Sequence, residues 1–273
     1  MKMLQYLTVS ATLGFAMGCG TVEIPPDEVT TGVVTARNHT LDLNHLEDTT
    51  HKIFLGGGYA HTSALTDSGQ IAEGSMIFGA FEFAATPEFA AGLLPSMGVV
   101  HRTLDETTAR GIGAYARVKL ATTGSLGMYV LPQISFVSNA THDKGTICVG
   151  FTCTDSTQES YSKMNALALG TSLLFQWGLG GRQYLGFAPR VHYRFVDINK
   201  FHPRLGQQDK RLRAWDMDAQ LLYGVAITED ATWLTITAGA TRDKGIEQGG
   251  KSVWRPLASA SITVGLNENS KKD

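Results

Sequence analysis

The chain has 273 residues, of which 43% are hydrophobic and 18% charged, and its formal net charge is -2. A net charge so close to zero excludes the strong basic field that is typical of nucleic-acid-binding proteins. The mean hydropathy of -0.05 argues against a helical membrane protein. It is compatible with membrane-crossing strands, because these carry apolar residues at only every second position.

The amino terminus has the pattern of an export signal. An apolar or small segment, Leu4–Gly18, follows a single early positive charge at Lys2. The segment is too short to span a membrane as a helix, and its flanks are those of a secretory signal peptide. Residues 15–19 read FAMGC and resemble the lipobox of bacterial lipoproteins. This resemblance implies that residues 1–18 are removed and that Cys19 is lipidated; the alternative is an ordinary signal peptide with an incidental cysteine.

Residues 19–50 show no sustained period of two or of 3.6. They contain Pro25-Pro26 followed by a polar run, and this composition is typical of loops. We therefore predict a flexible, lipid-anchored periplasmic linker over residues 19–50.

Residues 51–266 contain ten segments in which apolar and polar residues alternate. Alternate side chains of a strand point to opposite faces, so each segment predicts a strand with one apolar face. Trp215, Leu221 and Tyr223, for example, share one face, whereas Asp216 and Asp218 share the other. The predicted strands are Lys52–His61, Ser75–Ala84, Gly92–Thr103, Gly111–Leu120, Leu126–Phe136, Tyr161–Trp177, Gln183–Asp197, Arg213–Ile227, Ala231–Arg242 and Val253–Leu266.

The connections between these strands are alternately short and long, and the longest run over Asn139–Ser160 and Ile198–Leu212. This organisation resembles that of bacterial outer-membrane β-barrels. We predict an all-β, antiparallel, up-and-down transmembrane barrel of about ten strands, with short periplasmic turns and long extracellular loops. An even strand number places both ends of the barrel on the periplasmic side, and a polar tail over residues 267–273 follows it.

Four prolines fall inside the predicted strands, where proline removes a hydrogen bond from the ladder. They are Pro95, Pro132, Pro189 and Pro256. They predict either bulges or interrupted strands.

A soluble, lipid-tethered periplasmic barrel is the alternative architecture. Such a barrel also alternates, but its apolar residues face inward around an apolar ligand and its charged residues face outward. The apolar face here is large and aromatic, whereas the interior of a small barrel accommodates a limited volume of side chains. The amount of apolar side chain therefore favours the membrane barrel.

The polar face of the strands predicts a charged lumen. Charges of both signs in a narrow barrel usually pair with each other, because an unpaired buried charge is costly. Pairing would close the lumen, whereas separate acidic and basic walls would let small ions pass. The predicted lumen charges are Glu82, Arg117, Lys119, Arg190, His192, Arg194, Asp216 and Asp218.

Two further features lie in the predicted long connections. Cys148 and Cys153 are close in sequence in an exported chain, so we predict a disulfide between them. The segment Ile198–Arg213 is rich in basic residues, which predicts a solvated loop or one that binds an anionic surface such as lipopolysaccharide. The candidate anion-binding residues are Lys200, Arg204, Lys210, Arg211 and Arg213.

The sequence contains neither Gly-x-Ser-x-Gly nor His-Glu-x-x-His, and it shows no metal or cofactor motif. We therefore predict a non-enzymatic protein of a Gram-negative outer membrane with a periplasmic, lipid-anchored amino terminus; an outer-membrane barrel enzyme is the further alternative. It would act as a narrow pore or as a scaffold that presents its loops at the cell surface. Its expected partners are outer-membrane lipids, including lipopolysaccharide, and not nucleic acids.

Overall fold

The computed structural model describes residues 21–24, 32–33, 52–66, 71–101, 106–149, 152–228, 232–244 and 252–266. The predicted signal peptide, Cys19 and the tail over residues 267–273 lie outside these described residues. Across the described part of the chain, no helix is long and apolar enough to cross a membrane.

The chain divides into two compact units. The first, called the barrel unit, comprises Thr30–Thr141, Ser162–Asn199 and Asp209–Asp273. The second, called the hairpin unit, comprises Met1–Val29, His142–Tyr161 and Lys200–Gln208.

Twelve strands run through the described residues. Two short strands come first: β1 (Thr21–Ile24) and β2 (Gly32–Val33). The other ten are β3 (Ile53–Thr66), β4 (Ile71–Thr86), β5 (Phe89–His101), β6 (Glu106–Thr123), β7 (Leu126–Val149), β8 (Thr152–Gly180), β9 (Gln183–His202), β10 (Gly206–Ala226), β11 (Thr232–Lys244) and β12 (Ser252–Leu266).

The ten strands β3 to β12 form a closed antiparallel ring in which each strand pairs with its neighbours in sequence. The first and last strands of the ring also pair, with Ile53 opposite Leu266 and Thr62 opposite Leu257. A closed ring has no free edge, which is the condition for a sheet that crosses a lipid bilayer. The predicted up-and-down barrel of ten strands is confirmed.

The two faces of the barrel strands differ as the alternation predicted. Trp215 on β10 is 65% exposed, whereas its neighbour Asp216 is 0% exposed. The same contrast recurs on the other strands, where most exposed large side chains are apolar, and where charged, hydroxyl and small side chains face inward together with several apolar ones. This is the reverse of the arrangement that a soluble barrel with an apolar interior requires.

All ten predicted strands are present, and the turns near residues 87, 124, 181 and 228 are short, as predicted. At the β8–β9 turn, Gly181 and Arg182 have φ values of 58° and 59°. Two successive residues with positive φ are typical of the two-residue hairpin turn whose twist matches that of the flanking strands.

The extent of the long connections is different from the prediction. Asn139–Ser160 was expected to be a loop, but β7 continues to Val149 and β8 begins at Thr152. Ile198–Leu212 is also mainly strand, since β9 ends at His202 and β10 begins at Gly206. The strand ends were predicted where the outward face stops being apolar. In these strands, the hydrogen-bonded pairing continues beyond that point with polar outward residues.

The four prolines do not interrupt their strands. Phe78 lies opposite Ser96 and Phe81 opposite Leu93, so the β4–β5 register is the same on both sides of Pro95. Pro256 lies in register opposite Ala240. The register shifts fall elsewhere, between Ala84 and Thr86 and between Lys119 and Ala121. The prediction of interrupted strands is therefore wrong at all four prolines, and the prediction of bulges is wrong at Pro95 and Pro256.

The segment predicted as a linker contains the two short strands. In the hairpin unit, β1 pairs with Thr146–Val149 of β7. In the barrel unit, β2 pairs with Leu65 and Thr66 at the end of β3. The remaining linker residues up to residue 50 lie outside the described residues.

Candidate functional site

The first cluster of buried charges in the barrel interior centres on Glu82 of β4. Arg117 Nη2 donates a hydrogen bond to Glu82 Oε1 over 2.8 Å, and the Tyr115 hydroxyl donates one to Glu82 Oε2 over 2.7 Å. The Arg117 guanidinium also lies 5.9 Å from the centre of the Tyr129 ring. Both oxygens of the carboxylate therefore have a donor, as a buried carboxylate requires.

A glycine makes the geometry of this cluster possible. Gly92 on β5 lies opposite both Glu82 on β4 and Tyr115 on β6. A Cβ atom at Gly92 would lie 2.5 Å from Tyr115 Cε1 and 2.6 Å from the tyrosine hydroxyl. The absence of a side chain lets the Tyr115 ring lie across β5 and reach the carboxylate on the next strand.

The second cluster joins β9 and β10. Arg194 Nε lies 2.8 Å from Asp216 Oδ2, and its Nη2 donates to Oδ1 over 3.3 Å. Arg190 Nε lies 3.4 Å from Asp218 Oδ1. All four side chains are at most 3% exposed, so two ion pairs are buried side by side.

His192 lies between these two pairs. Its Nε2 is 3.6 Å from Asp216 Oδ2, and its Nδ1 is 3.9 Å from Asp218 Oδ2. On the neighbouring strand β8, a Cβ atom at Gly170 would lie 2.5 Å from the Cβ atom of His192. Gly170 therefore provides the space in which the histidine sits.

The strand registers extend this cluster to β12. Asp218 lies opposite Thr241, and Thr241 lies opposite Arg255. Arg255 is 1% exposed, and the sequence reasoning missed it. The alternation of β12 could have identified it, because Arg255 shares its face with the buried residues Leu257, Ser259 and Ser261.

Buried apolar side chains also lie in the described barrel interior. One apolar cluster contains Met76, Phe78, Val137 and Met164, and another surrounds Leu131. Like the ion-paired residues, these side chains are buried. Lys119, which was predicted to be a lumen charge, is only half-buried.

The hairpin unit holds the predicted disulfide. Cys148 lies near the end of β7 and Cys153 near the start of β8, and their sulfur atoms are bonded. Glu159 lies 3.1 Å from His142 Nε2 and 3.8 Å from Lys144 Nζ, with each side chain about half exposed. The Tyr161 and Phe201 rings stack in the same unit. The disulfide was expected in a loop, but it joins two strands.

The candidate anion-binding residues do not lie on one loop. Lys200 is buried on β9, so its placement in an exposed loop is wrong. Arg204 is exposed in the turn between β9 and β10. Lys210, Arg211 and Arg213 belong to β10, where Arg211 and Arg213 face outward and Lys210 is half-buried.

The buried charges of the described interior are arranged as ion pairs. Each carboxylate is within ion-pair distance of a cation, and the side chains are shielded from solvent. Within the described ranges, no group of three or more His, Cys, Asp or Glu side chains has a geometry that could hold a metal ion.

No protein-family model and no curated protein matches the chain. Among solved structures, it is similar to the translocator domain of the autotransporter NalP from Neisseria meningitidis. The two share 12% identity with a TM-score of 0.51, and the alignment covers 82% of this chain and 91% of that domain. The chain has the fold of an outer-membrane β-barrel.

Two further structures align over nearly the whole chain. The outer-membrane protease OmpT from Escherichia coli has 9% identity and a TM-score of 0.47, with 93% of this chain and 100% of that chain covered. A FadL homologue from Pseudomonas aeruginosa has 9% identity and a TM-score of 0.34, with 89% and 100% covered. At these identities, the comparisons show nothing about activity.

Proposed function

We propose that this protein is a closed β-barrel of a Gram-negative outer membrane and acts as a non-enzymatic scaffold that presents its β7–β8 hairpin at the cell surface. The observation that carries the proposal is the reversed distribution of residues over the strand faces. Side chains such as Trp215, Leu221 and Ile77 are each more than half exposed, whereas Arg194 and Asp216 are at most 1% exposed.

The outward face supports insertion into a bilayer. The outward positions of β8 are apolar or threonine from Leu167 to Leu179. The two outward positions before Leu167 are polar, Asn165 and Lys163. An apolar band of this extent is comparable to the height of about 25 Å that outer-membrane barrels expose to lipid. Exposure of the same band to water would leave a large apolar surface of the kind that soluble monomers avoid.

The length of the strands supports a presenting role. A transmembrane strand needs about 9–11 residues, whereas β8 has 29 and β7 has 24. The surplus residues have to lie outside the hydrocarbon, which agrees with their polar outward positions. The disulfide between Cys148 and Cys153 ties the two strands at the tip of this hairpin.

The buried interior supports a closed barrel rather than a pore. Conductance of purified protein in planar bilayers separates the two functions, and we expect no steady current. Replacing Asp216 with alanine is expected to introduce current noise, because Arg194 loses its ion pair with this carboxylate. A steady, ion-selective current from the unmodified protein would instead identify it as a narrow pore.

The amino terminus adds a second attachment to the membrane. On this proposal residues 1–18 are a signal peptide and Cys19 carries the lipid. Metabolic labelling with a fatty acid is expected to mark the natural chain but not a Cys19→Ser variant. The barrel would remain membrane-bound in that variant, because its outward face is sufficient for insertion.

Two experiments test the location. Unboiled protein in detergent should migrate differently from boiled protein on a gel, as closed membrane barrels do. An impermeant label applied to intact cells should reach a cysteine introduced at Thr157, which is exposed in the hairpin unit. Solubility without detergent after removal of the signal and Cys19 would reject the membrane barrel and favour the lipid-tethered periplasmic alternative.

A further inference from the structure

Exposed basic residues recur at one end of the outward barrel face. On β10, the outward apolar residue nearest the start of the strand is Trp215. The next outward position toward the start is Arg213. On β6, Arg110 stands in the same relation to Ile112, and on β11 Arg242 follows Ala240. Lys163 lies on β8 two outward positions beyond Leu167. Among the described side chains of the barrel unit, the exposed, outward basic residues on the strands are Arg110, Lys163, Arg211, Arg213 and Arg242.

The opposite ends of the same strands are different. There the outward faces end at Leu120 on β6, Leu179 on β8, Val225 on β10 and Thr232 on β11. The exposed basic residues described near the short turns, Lys52 and Arg182, lie outside the strands. The barrel face is therefore electrostatically asymmetric, with its strand cations at the end away from the short turns.

The β9–β10 pair shows how these cations are arranged. The Tyr193 and Trp215 rings lie 5.0 Å apart at the edge of the apolar band. Arg213 lies 5.9 Å from the centre of the Phe195 ring, and Arg211 Nε lies 3.3 Å from Asp197 Oδ1. The Arg211 side chain is still 86% exposed. Toward this end of the barrel, aromatic side chains come first and cations come next. The acyl chains and the phosphates of a lipid leaflet lie in the same order from the middle of the bilayer outward.

The charge balance favours an anionic partner. Among the described side chains of the barrel unit, the outward carboxylates that stand against these five cations are Asp197 and Asp209. Arginine is suited to phosphate because its planar guanidinium donates two parallel hydrogen bonds, and four of the five cations are arginines. In outer-membrane barrels the longer connections face outward, so this end meets the outer leaflet, whose main lipid is a phosphorylated glycolipid.

We propose that these five residues form a cationic belt that binds the phosphate groups of lipopolysaccharide in the outer leaflet. The proposal rests on the membrane location proposed above and adds an orientation and a lipid partner to it. Each cation acts by ion pairing with a phosphate oxygen, and the aromatic residues beside it hold the barrel at that depth.

The test titrates the full, detergent-purified chain with fluorescent lipopolysaccharide. Changing all five residues to glutamine should weaken binding at least tenfold, and the Arg211→Gln/Arg213→Gln double variant should cause part of that loss. The control Lys52→Gln, which removes an exposed cation near a short turn, should stay within twofold of the natural protein. Unchanged binding by the five-residue variant would overturn the belt.

A second measurement needs no variant. The natural protein should bind the same glycolipid at least tenfold more weakly after enzymatic removal of its phosphates, and binding should weaken as salt is raised. Equal affinity for the dephosphorylated lipid contradicts the proposal. Equal affinity for phosphatidylglycerol vesicles would contradict the choice of glycolipid, because any anionic headgroup would then suffice.

The gel-shift assay separates this proposal from the preceding one. A heat-modifiable barrel with unchanged lipid binding in the five-residue variant rejects the belt alone. A chain that is soluble without detergent rejects the membrane barrel, and the belt with it.

Discussion

Glu82 and Glu159 both face cations, but they do so in different surroundings. Glu82 is buried in the barrel unit, where Arg117 and Tyr115 satisfy both of its oxygens. Glu159 is 49% exposed in the hairpin unit, where His142 and Lys144 lie near it. The buried pair cannot exchange its partner for water, so its loss is costly, whereas the exposed pair loses little. An ion pair of this kind is therefore important for the stability of the barrel unit, where it is buried. In the hairpin unit, where it is exposed, it contributes little to stability.

The largest effect is expected from Asp216→Ala. This change removes the carboxylate from Arg194 and leaves a buried guanidinium without its ion pair, which costs about 3–5 kcal/mol. The free energy of unfolding in detergent, measured by urea titration and the gel shift, is the readout. The matched control is Asp197→Ala, which removes an exposed partner of Arg211 on the same pair of strands and should cost about 1 kcal/mol or less. Equal losses would mean that the interior is hydrated.

The next effect is expected from Gly92→Ala. The new methyl group would overlap the Tyr115 ring and push its hydroxyl away from Glu82, at a cost of about 1–3 kcal/mol. Gly178→Ala is a suitable control, because the nearest atoms to its new Cβ would be 3.9 Å away. Tyrosine fluorescence should change in Gly92→Ala and not in the control.

An effect of similar size is expected from Glu82→Gln. The amide oxygen can still accept the Tyr115 hydrogen bond, so the change removes charge and preserves shape. We expect a loss of about 1–3 kcal/mol in the free energy of unfolding. A Tyr115→Phe variant measures the hydroxyl separately, and the double variant reports how strongly the two contacts are coupled. Additive losses would show that the carboxylate and the hydroxyl act independently.

In the hairpin unit, replacing Cys148 and Cys153 with serine should leave the heat-dependent gel shift of the barrel unchanged. The disulfide closes a short loop, so it contributes about 2 kcal/mol to local order. The rate of protease cleavage within residues 142–161 of intact cells should rise. A double variant that fails to assemble would show that the barrel depends on this crosslink.

The smallest effect is expected from Glu159→Gln. Its partners and the carboxylate itself are about half exposed, so its removal should change stability by about 0.2–1 kcal/mol. Protease resistance of the hairpin and the urea midpoint of the barrel should both stay near their natural values. A large loss would show that this exposed ion pair stabilises the protein as strongly as a buried one.

The alternation of apolar and polar residues was enough to predict the ten strands, and the alternately short and long connections were needed to predict the barrel. Seven of the eight charges that the alternation assigned to the interior, from Glu82 to Asp218, are buried. It was not enough to predict where β7 and β8 end, because backbone pairing continues after the outward face becomes polar. It also did not predict which charges pair. The contacts of Arg194 with Asp216, and of Arg117 with Glu82, depend on the register between strands, which one strand's sequence does not contain. Gly92 and Gly170 were missed for the same reason.

The pairing of β3 with β12 has a consequence for how the molecule is made. Ile53 and Leu266 are neighbours in space but lie at opposite ends of the barrel sequence. Until the last strand arrives, the partly assembled sheet has two open edges, and such edges readily recruit other chains. Contacts between residues so far apart in sequence also form slowly. The exported chain therefore has a long interval in which it needs protection from aggregation, and loss of β12 alone should prevent closure altogether.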